Sequence, residues 1–266
     1  PMQGILAIDV FSALFAIVPL FFTRIPQPDR LTGITEDDAG MKDGRQETIW
    51  QGVKSGLRYV IGWPGLLVVS LMTVVINFAI IPAFSLLPLM VKDYFGGSAI
   101  HLSWVESTMG AGMIFGGVLL GIWGGFSRKI LTSMVGLAGL GAGTLILALA
   151  PSSAIFLAVG GALLVGLMTP ITMGPFFSLI QSSVEPDMQA RIFSLLSSVG
   201  TGIAPLGLMI AGPIADRIGI QAWFLLGGLL CIVMAVTGIF IPAVMDIEQQ
   251  GKPLPEAVGA NVKQAI

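Results

Sequence analysis

Apolar blocks long enough to cross a bilayer follow one another along nearly the whole chain, and one long polar segment separates the first block from the rest. A run of roughly 18 or more apolar residues predicts a membrane-spanning helix. The first block covers residues 1–22, the polar segment residues 23–62, and six further blocks fill residues 63–245. Spans are expected near residues 65–91, 102–126, 130–150, 154–180 and 222–244, with one more that follows Arg191 and ends within Gly212 to Gly219. Barrel strands alternate with a period of two over about ten residues, and these blocks do not. The pattern predicts an all-α polytopic membrane protein with about seven transmembrane helices. Residues 246–266 are polar, contain Pro253 and Pro255, and are expected to form an irregular tail.

The polar segment has two parts. Its first half is rich in Pro, Gly and Asp and predicts irregular backbone. In its second half Ile49, Trp50, Val53, Leu57 and Val60 recur at helical spacing with Lys54 and Arg58 between them. That spacing predicts an amphipathic helix lying on the membrane surface. The segment holds Arg24, Arg30, Lys42, Arg45, Lys54 and Arg58, six of the thirteen basic residues.

Polar and helix-breaking residues inside the spans are few. Asp9 lies in the first block. A carboxylate at bilayer depth is expensive, so it should face protein or water, as a substrate or proton group or as an interhelical hydrogen bond. Ser70, Thr73 and Asn77 fall on one helical face, and Pro82 and Pro88 should kink or break the far half of that span. Glu106 opens a span whose pairs Gly112/Gly116, Gly117/Gly121 and Gly121/Gly125 predict close helix contacts. Gly110, Met113 and Gly117 continue the Glu106 face. Thr169–Pro170 and Gly174–Pro175 should interrupt their span, and Ser194, Ser198, Thr201 and Pro205 share a face of the next.

Composition narrows the function. The chain is 55% hydrophobic and 11% charged, under half the charge of a typical soluble domain. One cysteine, Cys231, excludes an intrachain disulfide, and a lone histidine, His101, makes a zinc-type cluster unexpected; no cofactor and no nucleic-acid partner are expected. Residues 1–22 lack Lys and Arg and open on Pro1, so they are expected to be a true span, and the chain part of something longer. With the linker on the inner side, alternating segments hold eleven basic residues inside (the linker six with Arg128, Lys129, Arg191, Lys252 and Lys263) against Lys92 and Arg217 outside. The positive-inside rule then predicts a cytoplasmic linker and C-terminus.

One helix, a long basic linker, a surface helix and six spans together resemble the second half of a major facilitator superfamily transporter, with the leading helix as its sixth. The segment from Glu47 to Tyr59 (ETIWQGVKSGLRY), Asn77–Phe78 and Leu86–Leu87–Pro88–Leu89 are similar to the macrolide-efflux and enterobactin-exporter branch. So are the turn from Asp187 to Arg191 and Gly200, Pro205, Gly207, Gly212, Asp216, Arg217 and Gly219. One departure is at Gly121 to Lys129, where Gly125 stands at the place of the superfamily's loop aspartate. A better match, Gly212 to Gly219, falls on the outer side, where Asp216 and Arg217 are expected to cap helix ends.

The resemblance implies a proton-coupled exporter of drugs or siderophores in the plasma membrane, working by alternating access. Its partners would be the lipid bilayer, a small amphipathic substrate, the proton and the N-terminal half of the transporter. The second, third, fifth and sixth spans would line a site near the midplane between repeats. That favours Asn77, Glu106, Thr169, Thr172, Ser198 and Thr201 over Asp9, with Glu106 either a proton carrier or a charge that caps its helix N-terminus, and with the Ser and Thr residues either lining the pathway or bonding neighbouring helices. The alternative is a non-transporting membrane sensor or assembly partner. An intramembrane enzyme would need a Ser-His or paired-Asp constellation, and the spans offer neither.

Overall fold

The structure is a computed structural model that describes residues 56–184 and 186–248. The chain divides into two compact units, Pro1–Gln46 and Glu47–Ile266, and everything described belongs to the second. The first expected span with Asp9 lies outside the described residues, as do most of the linker and Ile49, Trp50 and Val53.

Six helices among the described residues are long and apolar enough to cross a membrane. They are α1 (Pro64–Ser85), α2 (Ala99–Trp123), α3 (Lys129–Leu149), α4 (Ile155–Ser183), α5 (Pro186–Ile218) and α6 (Ile220–Phe240). The shortest has 21 residues, about 31 Å at 1.5 Å per residue, which matches the hydrocarbon thickness of a bilayer.

Local chemistry sets the helix ends. α1 begins with Pro64 at its first turn after the extended Trp63, where a missing N–H costs nothing. It ends at Ser85 because Pro88 cannot donate to the Phe84 carbonyl. A one-turn helix, Leu87–Leu89, and a π-helical turn, Met90–Tyr94, follow, so the break expected around Pro82 and Pro88 falls at Leu86. Ser98 caps α2 in a reciprocal box: its backbone N–H donates to His101 Nδ1 at 3.0 Å. α2 stops at Gly124 and Gly125, with φ of +75° and +80°, left-handed values that glycine reaches without a Cβ penalty.

The prolines of α4 do not break it. Helix runs unbroken through Pro170 and Pro175, which corrects the expected interruption. Each proline frees one carbonyl, of Gly166 and Ile171 respectively, and the helix stays whole because α2 and α3 pack along it. α5 likewise continues through Pro205 and Pro213 to Ile218.

Neighbours form an arc in the order α2, α4, α3, α6, α1, α5. Exchanging each of the first three helices with the helix three places later reverses this order onto itself. α3 and α6 meet at its centre, and α3 is the most buried span. α2 and α5, at the two ends, are the least covered.

One end of the bundle holds Arg58, Arg128, Lys129 and Arg191; Lys92 and Arg217 lie at the other. At the basic end residues 56–61 are helical, with Val60 2% exposed and Leu57 47% exposed. The inward face of this short helix is Gly56, Tyr59 and Val60, and Leu57 points outward.

Candidate substrate and proton pathway

The expected pathway residues fall into two groups. Asn77, Ser198 and Thr201 belong to the α1–α5 pair, and Glu106, Thr169 and Thr172 to α2 and α4.

Asn77 lies midway along α1, half-buried, and its Nδ2 donates to the Thr73 carbonyl at 2.8 Å. A methyl placed on Gly200 of α5 would sit 3.7 Å from that nitrogen. The amide therefore faces α5 across a glycine, in ordinary contact. Ser198 is exposed two residues before Gly200, and Thr201 follows it in the same helix. A second fastening fixes the height of α1: Trp223 of α6 donates its indole N–H to the Ala79 carbonyl at 2.9 Å, and its ring meets Phe78 edge-on at 6.1 Å. Sequence reading did not single out Trp223, because an aromatic near the end of an apolar span has no distinguishing local pattern.

α2 crosses α4 through glycine. A Cβ on Gly112 would reach the Leu163 carbonyl at 2.5 Å. One on Gly116 would collide with the Leu167 carbonyl, and one on Gly166 with the Met109 carbonyl. The Gly112/Gly116 pair is thus a close backbone contact, as its spacing predicts. Gly117 and Gly121 are not: no atom lies within 4 Å of a Cβ on either, or on Gly110. Their open side is the face that carries Glu106, which is exposed. Exposed apolar side chains adjoin it, with Ile114 70% and Ile122 83% exposed.

Thr169 is half-buried and donates to the Val165 carbonyl at 2.8 Å. It lies at the level of Gly116, ten residues along α2 from Glu106, or roughly 15 Å of helical rise. Thr172 is 9% exposed, donates to the Met168 carbonyl at 2.8 Å, and packs against Gly136 of α3. Its hydroxyl is directed into the α3–α4 contact. The fold thus brings Asn77, Ser198 and Thr201 onto one helix pair, and sets Glu106 apart from Thr169.

Six apolar spans packed side by side define a multi-pass helical membrane protein. Residues 2–208 match the family model of the Major Facilitator Superfamily, and the chain belongs to that family. It is 32% identical over 241 residues to Macrolide efflux protein A of Streptococcus pyogenes, covering 88% of this chain and 56% of that protein. The protein of the same name from Enterococcus faecalis is 30% identical over 213 residues, 78% of this chain and 61% of the relative. Multidrug efflux pump Tap of Mycolicibacterium fortuitum is 25% identical over 210 residues, 78% and 50% of the two chains. The chain therefore spans between 50 and 61% of the length of these relatives. No solved structure matches.

Proposed function

We propose that this chain supplies one repeat of a proton-driven exporter that moves amphipathic drugs of the macrolide kind by alternating access. The observation that carries the reading is the similarity to Macrolide efflux protein A across 88% of the chain. Asn77, Ser198 and Thr201 contact the substrate at mid-depth, where a second repeat completes the site. Thr169 lines the pathway from α4, and Thr172 holds α4 against α3 from behind it. Glu106 takes a proton on one side and releases it on the other. The linker and the C-terminus are cytoplasmic, so Thr32→Cys should label only from the cytoplasmic side.

The test is efflux by the whole transporter that contains this repeat, with a macrolide and a siderophore as competing substrates. Macrolide export is expected, and siderophore export alone would reassign the substrate. Glu106→Gln keeps size and some hydrogen bonding but cannot ionise. It should fold, reach the membrane and lose pH-driven efflux; efflux with unchanged pH dependence would refute the proton role.

A further inference from the structure

After α6 the chain turns back on the bundle. Ile241 is extended, Pro242–Met245 make one helical turn, and Asp246, Ile247 and Glu248 close it with Asp246 N–H donating to the Pro242 carbonyl at 2.9 Å. Each part of this turn meets a different helix. The Ala243 carbonyl sits where a Cβ on Gly65 of α1 would go. Ile247, 2% exposed, packs with Trp63 just before α1, with Leu66 of α1 and with Leu179 and Ile180 of α4. Glu248 Oε1 accepts the backbone N–H of Ile130, in the first turn of α3, at 2.9 Å. Asp246 lies 4.0 Å from Arg128, and Lys129 donates to Ser182 at the end of α4 at 3.3 Å.

α3 needs this help. Its N-cap, Arg128, makes no side-chain capping bond, and its first turn contains no acidic residue. The preceding turn cannot provide one at Gly125, whose φ is +80° and whose Cβ would meet Thr132 Oγ1 at 2.9 Å. Unsatisfied N–H groups at a helix start favour an anionic acceptor. The chain brings one from 118 residues away.

We propose that residues 242–248 are a clasp in which Glu248 caps α3 and Ile247 is the apolar peg, so that the basic ends of α1, α3, α4 and α6 move as one body. The clasp is independent of substrate and coupling ion. It is tested by amide hydrogen exchange on the chain in lipid nanodiscs. Glu248→Ala should speed exchange at residues 130–132 by roughly three- to tenfold, the effect of losing a helix cap. Residues 146–149, at the far end of α3, should keep their rates. Glu248→Gln, which leaves a neutral acceptor in place, should give a smaller change at the same amides. Ile247→Ala should speed exchange at residues 65–67 as well. Unchanged rates at 130–132 in both Glu248 variants would overturn the clasp, and so would equal acceleration at both ends of α3, because the effect would then be global.

Discussion

The two outer crossings of the arc, α2 on α4 and α1 on α5, occupy equivalent places in its order and are built differently. α2 and α4 meet backbone to backbone, with glycine on both sides: Gly112 and Gly116 from one helix, Gly166 from the other. α1 and α5 meet closely at Gly207, where a Cβ would lie 2.5 Å from Pro82 and 2.7 Å from the Phe78 carbonyl. Two turns earlier, at Gly200, the facing group is the Asn77 amide, and the contact there is ordinary. One crossing is sealed by main chain that cannot rotate away. The other leaves room beside a polar group at mid-depth. A small residue in a membrane helix therefore means different things according to what faces it.

Substitutions that fill the sealed crossing should have the largest effect. Gly116→Leu or Gly166→Leu pushes a side chain into a carbonyl, and overpacking of this sort costs about 3 kcal/mol or more. Thermal unfolding in detergent should show a fall in Tm of many degrees or loss of folded protein; a wild-type Tm would mean that α2 and α4 are farther apart than described. Gly207→Ala should cost less, about 1–2 kcal/mol, because it adds a single methyl group against the Pro82 ring and the Phe78 carbonyl. At the loose crossing Gly200→Ala should leave the Tm within about 0.5 kcal/mol of wild type in stability terms. Asn77→Ala should lose about 0.6 kcal/mol, the usual worth of one polar contact in a membrane bundle. Both should alter macrolide efflux by the whole transporter, and a pair of variants silent in transport would remove this crossing from the pathway.

Much of the architecture is legible in the sequence because bilayer length and backbone chemistry act locally. The spans announce themselves as long apolar runs, Pro88 marks the break beyond α1, and the Gly112/Gly116 spacing marks a true contact. What escapes the sequence depends on partners far along the chain. Pro170 and Pro175 look like breaks, yet α4 runs unbroken through both where α2 and α3 pack along it. Thr172 lies three residues after Thr169 on the apolar helix α4, yet it faces Gly136 because the two threonines point about 60° apart around a helix of 3.6 residues per turn. Glu248 reads as one of the acids of a polar tail, and nothing nearby in the sequence shows that its acceptor role lies at Ile130. Gly117 and Gly121 have the same spacing as Gly112 and Gly116, and only the position of α4 decides which pair is covered.

That last pair gives the smallest expected effect and the sharpest distinction. Gly110, Gly117 and Gly121 have no neighbour within 4 Å of a Cβ, so alanine there meets no obstacle inside this chain. Glycine in a helix interior is less stable than alanine by roughly 0.5–1 kcal/mol, because it surrenders more backbone freedom on folding. Gly117→Ala and Gly121→Ala should therefore raise the Tm of the chain slightly. The same face carries Glu106, and if Glu106 moves a proton as proposed, a smooth stripe below it suits a helix or substrate that passes close by. Two added methyl groups would stand in that path. The double variant should then be more stable as a chain and slower as an exporter. Slight stabilisation with efflux unchanged would mean that lipid alone covers the face, and Glu106 would lose its place in the pathway.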